Sequence, residues 1–320
     1  MEKAVATLDG GRELRAGESV LGPAALRFLD GSRVELAEGA ELAELRETGG
    51  RLTRGALHAQ VVKQAGRVFS IATPNAEAVV LGTRFTLKIE GAATILEVNE
   101  GKVRLKRADG ATVDVGAGLT ATAAKGTSLA AKPIVRALMF QDGAAPDAGY
   151  AGTRDAMISQ LAPAENRGAD AQLLLYRGAE GIETCVIRWD VSAIPAGSRV
   201  VAAEATFFVT GSLGPPGWRV HELRRAWEER DVTWKSPWQI AGAQGDADRG
   251  RAFAAFAPAQ TGFVTLPLPP GLVQQWVAGE NAGLVFAPAG QMPRWGIESR
   301  ESARPDRRPR LSVTFIPPIR

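Results

Sequence analysis

Through most of the N-terminal third of the chain, apolar side chains recur at every second position. Leu26/Phe28, Val34/Leu36, Phe85/Leu87/Ile89, Val103/Leu105 and Val113/Val115 each alternate with polar or charged neighbours. A period of two puts the apolar set on one face of an extended strand and leaves the other face wet. The breaks between these runs are turn dipeptides: Asp30-Gly31, Gly49-Gly50, Glu90-Gly91, Glu100-Gly101 and Asp109-Gly110. Such short connections join antiparallel neighbours, because parallel strands need long crossovers. Asp30-Gly31 suits a type I′ turn. Residues 35–52 are rich in Ala, Glu and Leu, but Gly39 and Gly49-Gly50 interrupt them, and we read them as strand. The expectation is a roll or small sandwich of many short strands.

The second half is strand-like as well, with candidates at Leu173/Leu175, Cys185/Ile187/Trp189, Thr206/Phe208/Thr210 and Leu311/Val313/Phe315. Leu272, Val273, Trp276 and Val277 follow Pro269-Pro270-Gly271 at helical spacing, which predicts one short helix. Aromatic usage divides the chain, since all seven Trp and both Tyr lie after residue 149. We therefore expect an all-β protein of two domains. The first, 1–125, is a small β-roll or sandwich. A linker at 126–134 is rich in small residues and contains Pro133. The second, 135–320, is a jelly-roll-like β-sandwich. Long Gly/Pro/Ala loops are expected at 142–153, 211–217 and 241–259.

Composition narrows the chemistry. The single Cys185 excludes a disulfide framework, and two histidines, His58 and His221, exclude a His-rich metal site. Lys plus Arg is 38 against 35 Asp plus Glu, so the net charge is +3, too small a surplus to point to nucleic acid. No apolar run is long enough to span a bilayer. The first residues lack a signal-peptide core, and a strand pattern starts directly after them, as expected of a chain beginning just after a membrane anchor. A nucleophile–histidine arrangement would need His58 or His221. Both read as structural, and Cys185 reads as a small core residue. None of the G-x-S-x-G, H-E-x-x-H, P-loop or G-x-G-x-x-G patterns occurs. The chain is expected not to be an enzyme.

Two sets of motifs carry family resemblances. Residues 28–36 read FLDGSRVEL, 52–57 LTRGAL, 69–74 FSIATP, 79–85 VVLGTRF and 97–103 EVNEGKV. In this order they resemble FecR-type periplasmic signalling domains, over about 8–125. Gly82 before Thr83 suits a close backbone approach. Residues 140–143 (FQDG), 150–155 (YAGTRD), 188–195 (RWDVSAIP), 227–234 (WEERDVTW), 275–276 (QW), 281–284 (NAGL) and 309–313 (PRLSV) resemble DNRLRE-type domains, over about 137–317. Those are jelly-roll-like sandwiches grouped with carbohydrate-binding modules, some of which bind alginate. The first resemblance implies a periplasmic or extracellular location, membrane anchorage in the full-length protein, and an envelope protein partner. The second implies a polysaccharide ligand.

Candidate ligand residues follow. Tyr150 offers a stacking face and Arg154 a fork for a uronate carboxylate or a sulfate. Trp218, after Pro215-Pro216, and Trp295, beside Arg294, are read as loop-edge rings available to a sugar. Trp189, Trp227, Trp234 and Trp276 are read as core, with Trp238 a weaker ligand candidate. No cofactor is expected, although Asp142, Asp147 and Asp155 could supply oxygens to a structural Ca²⁺. The basic run Arg300, Arg304, Arg307, Arg308 and Arg310 is interleaved with Glu298, Glu301 and Asp306, and reads as a self-paired, solvated loop. The expected function is non-catalytic binding of an acidic or neutral polysaccharide, reported or anchored through the first domain. The rival is a structural envelope module that packs on protein rather than sugar.

Overall fold

The computed structural model describes residues 3–63, 67–80, 82–211 and 217–319, and nearly all of their regular structure is β. Leu81 and Pro215-Pro216, which entered the sequence reading, lie outside the described residues, as do Met1, Glu2 and positions 212–216 of the predicted 211–217 loop. The chain divides into two compact units, 1–134 with 318–320, and 135–317.

In the first unit the alternating runs assemble into two sheets. One contains nine strands, with Ala93–Glu100, Arg84–Glu90, Ala56–Gln60, Arg33–Leu36 and Ala24–Phe28 at its centre. The other contains seven, including Lys102–Arg107, Ala76–Val80, Phe69–Ala72, Gly49–Arg54 and Glu41–Arg46. The inward rows meet in one core, in which Leu26, Phe28, Leu57, Phe85 and Leu96 of the first sheet pack with Leu52, Phe69, Ile71 and Leu105 of the second. Phe28 and Phe69 touch edge to face at 5.1 Å. Gly49–Arg54 and Phe69–Ala72 pair in parallel. Gly49 sits there with φ +131°, and a Cβ on it would lie 1.8 Å from the Ser70 carbonyl oxygen, so only glycine permits this approach. The predicted type I′ turn at Asp30-Gly31 is corrected. Only Gly31 has positive φ, and the Phe28 amide donates to Ser32 O at 2.8 Å, which defines a three-residue loop with a glycine bulge.

The predicted linker is not one. Leu119-Thr120 pairs with Lys132-Pro133, and Arg107 Nη1 donates to Ala124 O and Thr127 O, so most of 126–134 is tied to the first unit.

The second unit is built on an eleven-stranded sheet. It curls so that inward residues from distant strands meet: Phe207 lies 5.6 Å from Phe256 and 5.7 Å from Phe286. The strand Ile182–Trp189 is buried on both faces over most of its length, which explains the consecutive apolar residues Cys185-Val186-Ile187. Cys185, Ile187 and Trp189 face the main core, whereas Val186 belongs to a smaller one with Trp227, Val232, Trp234 and Trp238. The helix forms at Pro270–Val277 as its spacing predicts, burying Leu272, Val273 and Trp276. The predicted 241–259 loop is interrupted by the strand Arg249–Phe256.

Candidate functional site

The second unit carries a cleft of about 650 Å³. Three segments build it: the loop ahead of the strand Thr153–Ser159, the end of the strand Ile182–Trp189 with its following turn, and the end of the helix. They contribute Tyr150 and Arg154; Arg188, Asp190 and Ser192; and Trp276 and Asn281. Tyr150 packs half-buried against Phe140, and its hydroxyl donates to Asp190 O at 3.0 Å. Burial pushes its pKa up, with the Asp142 and Asp190 carboxylates adding to the shift, so the phenol stays neutral. Asp190 closes the adjoining turn by accepting from the Ser192 amide at 2.9 Å.

Two guanidinium groups flank the cleft. Arg154 Nη1 donates to Ala151 O at 2.8 Å and Thr153 O at 2.7 Å, and its Nε lies 4.0 Å from Glu229. Its Nη2 has no protein acceptor among the described residues. Arg188 stacks over Trp227, 5.3 Å from the ring centroid, and reaches Glu228, a largely exposed carboxylate, at 3.2 Å. Buried polar atoms without partners gather in the lining: Trp189 Nε1, Trp276 Nε1, Asn281 Oδ1 and Arg188 Nε. Such orphans are uncommon in folded proteins and mark places where a ligand or water completes the bonding.

Arg154 is positioned from behind by an ionic cluster. Arg300 lies 2.9 Å from Glu229, 3.2 Å from Asp142 and 3.1 Å from Glu301, and its amide donates to Asp155 Oδ2 at 2.9 Å. Burial, then the Glu301 carboxylate, holds the Asp155 carboxyl well above the usual range. Glu301 is raised too, again chiefly by burial.

The remaining predicted site residues fall elsewhere. Trp218 and Trp295 are corrected from loop-edge rings to core residues. Trp218 is fully buried in the strand Trp218–Leu223, and Trp295, 3% exposed, stacks on Phe256. Trp238 is buried as well. Arg294 lies outside the cleft, bonded to Glu183 at 2.7 Å and stacked over Tyr176. Asp142, Asp147 and Asp155 do not converge, and no group of three metal-ligating side chains occurs among the described residues. Asp142 and Asp155 are engaged by the Arg300 cluster, while Asp147 accepts from the Gly149 amide. Nor is the basic run a free solvated loop. Arg300 is clustered, Arg307 and Arg310 stack on Phe208 and Phe263, and Arg308 Nη1 donates to Asp142 O. His58 bonds Thr86 and His221 bonds Gly250 O, and Cys185 is buried.

Of the residues singled out as ligand candidates, Tyr150 and Arg154 line this cleft; Arg188 and Asn281, which also line it, were not singled out, and Trp276 is buried as its core reading predicts. The available signal was polar residues at the ends of regular elements: Arg188 and Asp190 flank the strand's last apolar residue, and Asn281 follows the helix.

A family model described as FecR protein matches residues 20–104. Two crystal structures of a candidate anti-sigma factor from Parabacteroides distasonis ATCC 8503 are similar at 19% identity and a TM-score of 0.31. They align with 37% and 40% of this chain, which spans 57% and 60% of theirs. No curated protein matches. Among the described residues no helix is long and apolar enough to cross a membrane.

Proposed function

We propose that the second unit is a non-catalytic module that holds an anionic polysaccharide in the cleft of Tyr150, Arg154 and Arg188. The FecR-like unit then reports or anchors the bound state outside the cytoplasm, in a protein held at the membrane by a segment beyond this sequence. The FecR match supports the signalling part. The observation that carries the binding part is the pair of guanidinium groups over one cleft whose lining also holds unpartnered donors and an acceptor. Carboxylate and sulfate groups are planar or multi-oxygen acceptors that a guanidinium fork recognises with two hydrogen bonds.

Titration calorimetry of the whole chain against uronate-bearing, sulfated and neutral polysaccharides at two salt concentrations tests this. Binding is expected for the anionic polymers and weaker at high salt. R154A is expected to cost about tenfold in affinity, equivalent to about 1.4 kcal/mol. Y150F keeps the ring and is expected to cost less. EDTA is expected to change nothing. Binding of no glycan, or undiminished affinity in an R154A/R188A double variant that folds normally, rejects the reading.

A further inference from the structure

The cleft does not end at Asn281. A second depression of about 560 Å³ begins at Gly279 and Asn281, which line both, and continues past Gln275, Glu280, Glu222 and Arg224. The helix end and the residues after it therefore stand between two adjoining depressions. Together they are large enough for more than one sugar ring, since a pocket for a single drug-sized ligand already occupies about 300–1,000 Å³.

The two depressions differ in charge. The first carries Arg154 and Arg188 beside one carboxylate, Asp190, which accepts from the Ser192 amide. The second carries Glu222 and Glu280, whose carboxylates have no hydrogen-bond or ion-pair partner among the described residues. Its one cation, Arg224, donates to the neutral Asp246 O and keeps its charge, which leaves a surplus of one carboxylate in the lining. At physiological salt the screening length is about 8 Å, so a ligand carboxylate beside these two glutamates would be repelled. A neutral ring would not. Its hydroxyl or amide N–H groups donate to carboxylates in charge-assisted hydrogen bonds, the stronger class. Asn281 supplies the junction: its Nδ2 is committed to Trp189 O at 2.7 Å, and its buried Oδ1 is an unpartnered acceptor.

We propose that the two depressions together select a mixed polysaccharide, with an acidic residue between Arg154 and Arg188 and a neutral, hydroxyl-rich residue beside Glu222 and Glu280, over a polymer of uronates alone. This rests on the glycan-binding reading and sharpens it from charge to sequence of sugars.

The test compares two sets of tetrasaccharides on the full chain by calorimetry. One alternates glucuronate with N-acetylglucosamine. The other is homopolymeric mannuronate, guluronate or galacturonate. The alternating probe is expected to bind about tenfold more tightly. An E222Q/E280Q variant keeps side-chain shape and removes the repulsion, so it is expected to raise homopolyuronate affinity about tenfold and close most of the gap. Equal or tighter binding of a homopolyuronate by the unmodified chain overturns the inference and leaves glycan binding standing. So does an affinity ratio unmoved by E222Q/E280Q. If neither set binds and the wider polysaccharide panel is also silent, the glycan reading falls and this inference falls with it.

Discussion

Arg300 is the residue on which most of the second unit's buried charge depends. It stands within ion-pair distance of Asp142, Glu229 and Glu301, and its amide holds Asp155. R300A leaves several poorly solvated carboxylates together without a cation and is expected to cost about 3–5 kcal/mol in urea unfolding. Asp155 makes a prediction of opposite character. Because its carboxyl is raised by burial and by Glu301, the native state keeps a proton that the unfolded chain has already released. This group's contribution is fully present below the ordinary carboxylate range, near pH 4, and is lost as pH rises through the folded value. D155N cannot titrate, so its urea midpoint is expected to vary less with pH across that window. A midpoint that falls as steeply as wild type would show that other groups cause the decline. Trp295 makes the third residue-scale case. Its flanking Pro293-Arg294 suggested a loop, yet the ring stacks on Phe256 within the core. W295A is expected to destabilise by about 3–5 kcal/mol, as large aromatic truncations do.

At the scale of elements, two irregular segments are held by single side chains. Asp248 accepts from the amides of Gln239 at 2.7 Å, Ile240 at 2.9 Å and Gly245 at 3.0 Å, and from Arg225 at 2.9 Å. Burial would raise its pKa, but these donors outweigh it and hold the carboxylate below its usual range. Its contribution is present above the unfolded value, near pH 4, and is lost as pH falls through the lower folded value. D248A is expected to cost about 3 kcal/mol and to raise amide exchange across 239–248 first. In the FecR-like unit, Asn75 does similar work. Its Nδ2 donates to Ala92 O at 2.8 Å and Ala123 O at 2.7 Å, and its Oδ1 accepts from Thr94. The strands these groups adjoin, Ala76–Val80, Ala93–Glu100 and Leu119–Ala123, were not among those read from alternation. Nor was the tie between them, because a period of two reports which face is buried and not which neighbour is bonded. The cleft shows the same limit. Tyr150 and Arg154 stood out in a Gly-rich loop, whereas Arg188 and Asn281 come from a strand end and a helix end far apart in sequence.

For the whole molecule, each unit has its own apolar core. One runs from Val5 to Ala123, and the other is built from Phe140 to Phe315. Two calorimetric transitions are expected, and R300A should lower only the one belonging to the second unit. Equal shifts of both transitions would mean that the units unfold as one. The division near residue 134 was approached in the sequence through the change in aromatic usage. The end of the first unit was placed at 125, nine residues early, because the small-residue stretch resembles a linker in composition, although Lys132-Pro133 pairs with a strand.

Local chemistry along the chain sufficed for the all-β class, the two-part organisation and the one short helix. These follow from side-chain period, turn residues and the positions of Pro and Gly, all of which act over a few neighbouring residues. The burial of Trp218 and Trp295, the dispersal of Asp142, Asp147 and Asp155, and the two adjoining depressions around Asn281 became visible in the folded chain. Each depends on which distant strands and loops the curled sheet brings side by side, and pairing at long range leaves no periodic mark on the residues that take part.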